Sequence, residues 1–123
     1  MAGPSVTYNT AGNALASQAL GASASVSFTV DFSTSSYGGW LQAWNTGGGT
    51  VAATNGLQAQ ILAAGDTTPN YDTIALFAFT ITTIASATNR KSILLPTGKY
   101  NVKLTNLDAT NGITVVASSA ALG

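Results

Sequence analysis

Residues 22–32 read Ala22-Ser23-Ala24-Ser25-Val26-Ser27-Phe28-Thr29-Val30-Asp31-Phe32. Ala22, Ala24, Val26, Phe28, Val30 and Phe32 fall on one side of a period-two pattern. Ser23, Ser25, Ser27, Thr29 and Asp31 fall on the other. Side chains alternate faces along a β-strand, so this stretch predicts a strand with one dry and one wet face. A helix would scatter the same apolar residues around its circumference, and β-branched and hydroxyl residues disfavour it.

The pattern recurs outward in both directions. Residues 37–46 set Leu41 and Ala43 against Trp40, Gln42 and Trp44. Residues 57–64 set Leu57, Ala59 and Ile61 against Gln58 and Gln60. Residues 75–84 carry Phe77, Phe79 and Ile81 with both sides fairly apolar, the signature of a central strand. Residues 92–95 predict a short strand. Tyr100, Val102 and Leu104 alternate with Lys99, Asn101, Lys103 and Thr105, and residues 113–119 alternate similarly. Residues 6–8 and 15–20 are weaker candidates.

Turn residues punctuate these runs: Gly38-Gly39, Gly47-Gly48-Gly49, Asn55-Gly56, Pro96-Thr97-Gly98 and Asn111-Gly112. The last joins residues 99–107 to 113–119 as an expected C-terminal hairpin. The expectation is an all-β, single antiparallel β-sandwich of seven to nine strands, jelly-roll or immunoglobulin-like. Residues 1–21 form an N-terminal arm or weak edge strand, and 22–123 the sandwich domain. The expected core is Val26, Phe28, Val30, Leu41, Ile61, Phe77, Phe79, Tyr100, Val102, Leu104, Ile113 and Val115.

Composition narrows the chemistry. The 123 residues hold four basic and four acidic groups, so charged residues make up 7%, against roughly 25% in an average domain. Ser and Thr are abundant, while His, Cys and Glu are absent. A Cys/His zinc site, a disulfide scaffold, a thiol nucleophile and a Ser-His-Asp triad are thereby excluded. Four basic residues cannot line an extended phosphate track, so nucleic acid is not an expected partner. No apolar run approaches the ~18 residues of a membrane helix, so no membrane partner is expected. The first residues lack the basic and apolar regions of a secretory signal.

Four aspartates, Asp31, Asp66, Asp72 and Asp108, are the available acids. Asp66 and Asp72 share a loop, but Asp66-Thr67-Thr68 and Asp72-Thr73-Ile74 lack the Gly of an aspartic-protease triplet. Asp66, Thr68, Asn70 and Asp72 offer hard oxygens to calcium, without the Gly and closing Glu of an EF-hand. A loop capping its own turn explains them better, so no metal, cofactor or catalytic residue is assigned. Arg90, Lys91, Lys99 and Lys103 read as loop and edge-strand charges. Tyr37, Trp40 and Trp44 form the candidate site. Three readings stand: packing in the core, the centre of a protein interface, or a platform for sugar rings.

The loop Gly65-Asp66-Thr67-Thr68-Pro69-Asn70-Tyr71-Asp72-Thr73, the strand after it, and residues 95–108 with Gly98-Lys99-Tyr100 opening a strand that ends near Asn106 carry a resemblance. Over roughly residues 37–119 the chain resembles small β-sandwich structural proteins of tailed-phage virions. That resemblance implies a non-enzymatic virion protein, of capsid-decoration type, located on the particle. Its implied partners are the major capsid protein or another virion protein, and further copies of itself. A lean, Ala- and Gly-rich core also favours a homo-oligomer that completes its burial. The alternative is a carbohydrate-binding module on a virion appendage or secreted protein, using Tyr37, Trp40 and Trp44.

Overall fold

A computed structural model describes residues 5–8, 13–47, 56–66, 70–83 and 86–123. Nine strands run in order: β1 (Val6–Tyr8), β2 (Leu15–Leu20), β3 (Ser25–Asp31), β4 (Gly39–Gly47), β5 (Leu57–Ala63), β6 (Phe77–Ile81), β7 (Thr88–Leu95), β8 (Lys99–Asn106) and β9 (Ile113–Leu122). All pairings are antiparallel. One sheet has the order β2-β9-β4-β7, with β1 also on β9; the other has β3-β8-β5-β6.

The pairs nest: β5 with β6, β4 with β7, β3 with β8, β2 with β9. The chain is one long hairpin folded over so that alternate pairs fall in opposite sheets. Of the two strand orders left open by periodicity, this is the jelly roll. Burial on the inner faces drives it. Leu41, Ala43, Ile113, Val115 and Ala117 from one sheet meet Val30, Leu57, Ala59, Ile61, Val102 and Leu104 from the other, with Phe32 fully buried beside them. β4 and β8 alternate buried and more exposed residues over nearly their whole length.

Several sequence expectations are corrected. Residues 99–107 and 113–119 are not a hairpin, because β8 and β9 lie in different sheets. The intervening residues cross the sandwich edge, and side chains supply their backbone with partners. Asn106, fully buried, donates from Nδ2 to the carbonyls of Asn111 at 2.7 Å, Gly21 at 3.1 Å and Leu20 at 3.3 Å. Its Oδ1 accepts the Asp108 N–H. The Asp108 carboxylate accepts the N–H groups of Thr110 and Asn111.

β6 is an edge strand, paired among the described residues with β5 and with no other strand. Phe77 is therefore 39% exposed rather than in the core, and Phe79 is half-buried. Val26 and Phe28 are half-buried for the same reason, since β3 is the opposite edge. Arg90 and Lys91 lie within β7, and Lys99 and Lys103 on the inner strand β8, not in a loop and at an edge. Asn55, Gly48, Gly49 and Thr68, named as turn or ligand candidates, lie outside the described residues. No helix among the described residues is long and apolar enough to cross a membrane.

Candidate functional site

The outer face of the five-stranded sheet is built by register. Trp40, Gln42 and Trp44 alternate with the buried Leu41 and Ala43, so all three point away from the core. β7 sets Leu94 opposite Trp40, Ser92 opposite Gln42 and Arg90 opposite Trp44. On the other flank, β9 places Ala120 opposite Trp40, and β1 places Tyr8 opposite Ala120. Tyr8, Ala120, Trp40 and Leu94 thus form one row across four strands.

The rings interlock. Tyr8 meets Trp40 edge to face, with centroids 6.1 Å apart and planes at 63°. The Arg90 guanidinium lies 4.3 Å from the centroid of the Trp44 ring, a cation–π contact. Arg90 also donates to Gln42 Oε1 at 3.4 Å, and Gln42 Nε2 donates to Ser92 Oγ at 3.2 Å. Thr46 and Thr88 share a hydroxyl hydrogen bond at 2.8 Å at the end of this stripe. Both tryptophans remain partly exposed, while Tyr8 is 67% and Leu94 68% exposed. Trp40, Ser92, Ile93 and Leu94 line a shallow open depression.

The predicted trio is divided by the structure. Trp40 and Trp44 share the face, but Tyr37 stands in the turn before β4, 63% exposed, with its backbone N–H on the Leu122 carbonyl. Tyr8 and Arg90 join the tryptophans instead. Of the three readings for the tryptophans, core packing is excluded by the outward direction of both side chains.

Charge is scarce on this sheet: Arg90 and Lys91 are the charged residues of its five strands. A face of this kind recognises by shape, apolar area and neutral hydrogen bonds rather than by long-range attraction.

Asp31, Asp66 and Asp108 sit apart in structural roles. The Asp66 carboxylate accepts the backbone N–H and side-chain amide of Asn70. Asp108 is buried at the β8–β9 crossing. Asp31 accepts the hydroxyl and the N–H of Ser33, which together hold its carboxyl below the usual carboxylate value. A depressed carboxylate adds stability at neutral pH that is lost as pH falls through the lowered value. Among the described residues, no three His, Cys, Asp or Glu side chains gather as a metal site.

No family model and no curated protein matches the chain. Among solved structures, it is similar to the enzymatically active domain of tailspike protein 4 of bacteriophage CBA120, with a TM-score of 0.59 and 16% identity. That match covers 98% of this chain and 18% of the tailspike chain. It is also similar to a chain in the structure of infectious bursal disease virus, Gx strain, with a TM-score of 0.52 and 14% identity, over 97% of this chain and 32% of that one. The chain therefore spans less than a third of either viral chain. At such identities the likeness is one of fold: the same β-sandwich architecture is found within a phage tailspike and within another viral protein.

Proposed function

We propose that this chain is a non-enzymatic structural protein of a phage particle, of capsid-decoration type, which docks through the outer face of its five-stranded sheet onto the major capsid protein or a neighbouring virion protein. The observation that carries this reading is the composition of that face. Two tryptophans, a tyrosine, an arginine stacked on a ring and an exposed leucine stand on a sheet otherwise almost free of charge. Trp, Tyr and Arg are the residues that dominate binding energy at protein interfaces, whose centres are poor in other charges. The fold shared with two viral proteins agrees with it.

The sugar-platform alternative fits the same face less well. A sugar ring stacks on an open aromatic face, and Arg90 already covers one face of Trp44 while Tyr8 abuts Trp40.

The test is to add purified protein to particles assembled without it. Wild-type protein is expected to bind and raise the temperature at which the particles break. Trp44→Ala, whose side chain lies outside the core, is expected to keep its circular dichroism and melting profile and to lose roughly 30-fold or more in affinity. Binding should weaken little with added salt, because few charges take part. If wild-type protein neither binds nor protects, or shifts its tryptophan fluorescence on host polysaccharide instead, the reading fails.

A further inference from the structure

We infer that a second copy of this chain pairs antiparallel with the free edge of β6, across a two-fold axis, joining two four-stranded sheets into one. This surface is distinct from the docking face described above, so the inference does not rest on the proposed function.

An edge strand turns half of its backbone N–H and C=O groups away from its one neighbour, a template that natural proteins blunt with charge, bulges, brevity or cover. The other edges of this sandwich are blunted. β7 carries Arg90 and Lys91. β1 has three residues, and the pairing of β2 shifts register between Leu15 and Gln18. At the end of β3, the Asn13 side chain takes both backbone groups of Asp31, donating to its C=O at 3.0 Å and accepting its N–H at 2.8 Å.

Among the described residues, β6 has none of these devices. Its sequence, Phe77-Ala78-Phe79-Thr80-Ile81, holds no charge and no proline, and its pairing with β5 is regular throughout. The approach to it is apolar and exposed, with Ile74 at 83% and Leu76 at 49%. Read by pattern alone, this strand belongs in the middle of a sheet.

A second copy suits it because the strand is self-complementary about Phe79. Antiparallel pairing centred there sets Phe79 against Phe79 of the other copy, and Phe77 against Ile81. Ala78 then meets Thr80, small against small. Large apolar residues thus oppose one another on the inner side, the arrangement that stabilises cross-strand pairs, and a two-fold interface needs such self-matching.

Sedimentation equilibrium or light scattering is expected to give about twice the 12.3 kDa chain mass. Phe77→Lys and, independently, Ala78→Lys are expected to give monomers with an unchanged β-sheet spectrum and a cooperative melt. Thr29→Lys, on the β3 edge, is expected to remain dimeric. The chain has no cysteine, so mixing Ala78→Cys with Thr80→Cys chains under oxidation should yield a cross-linked heterodimer that neither forms efficiently alone. A wild-type chain that stays monomeric at every concentration, or folded β6 lysine variants that dimerise like wild type, would overturn the inference. Particle binding through the tryptophan face is scored separately and can fail or hold independently.

Discussion

Replacing Asn106 with leucine is expected to cost the fold about 3 kcal/mol or more, a loss read as a large fall in the urea midpoint. The two side chains are close in size, so the cost is not a cavity. The Asn106 amide holds three carbonyls from two separate segments, Leu20-Gly21 and Asn111, and accepts the Asp108 N–H, with its own side chain fully buried. Leucine removes those partners, and at the two buried contacts, to the Leu20 carbonyl and from the Asp108 N–H, each lost partner costs ~1–3 kcal/mol. Asn106→Asp is expected to be as harmful at neutral pH, since it sets a carboxylate against carbonyl oxygens. Asn101→Leu, on the same strand but partly exposed, is the control. A cost below ~1 kcal/mol for Asn106→Leu would show that the β8–β9 crossing is held by something else.

The second large effect is expected from Gly38→Ala. Gly38 has φ +71°, a region that costs an L-residue about 1–2 kcal/mol. A Cβ there would also meet the Leu95 carbonyl oxygen at 2.1 Å and the Pro96 carbonyl carbon at 2.8 Å. Both are backbone atoms of the turn that leads from β7 to β8, so neither can step aside as a flexible side chain would. That turn is further clamped by the Tyr100 hydroxyl, which donates to the Pro96 carbonyl at 2.6 Å. Strain and clash together predict a loss of about 3 kcal/mol or more, or failure to fold. Gly21→Ala, where nothing lies within 4 Å of the new methyl group, is expected to change stability by less than ~1 kcal/mol. Chemical denaturation of the two variants side by side measures the difference.

These two residues show what periodicity carries and what it does not. Alternation along Ala22–Phe32, Trp40–Trp44 and Tyr100–Leu104 is a local property of the chain. It correctly separates the buried Leu41 and Ala43 from the outward Trp40 and Trp44. Which strands lie side by side is a matter of long-range register and leaves no local trace. Asn111-Gly112 has the composition of a hairpin turn, yet the described positive-φ residues do not include either of the pair. Asn111 is held by Asp108, and the chain passes from one sheet to the other.

The same limit governs the site. Trp40 and Trp44 were legible as a pair because two residues on one strand share a face. Tyr37 is near them in sequence, but it precedes the strand and does not inherit its alternation. Tyr8 and Arg90 reach the tryptophans through β9 and β7, from 32 and 46 residues away along the chain (40 − 8 and 90 − 44). No spacing rule connects them. β6 was readable as apolar on both sides, but whether such a strand is central or at an edge depends on what pairs with it.

The central claim is that this jelly roll works by fitting against other proteins through its aromatic sheet face. The most direct test is an electron-microscopy reconstruction of the assembled particle at a resolution that shows side chains. It is expected to show Trp40, Trp44, Tyr8 and Arg90 covered by another virion protein. A particle lacking the chain altogether, or one carrying it with that face open to solvent, would contradict the account.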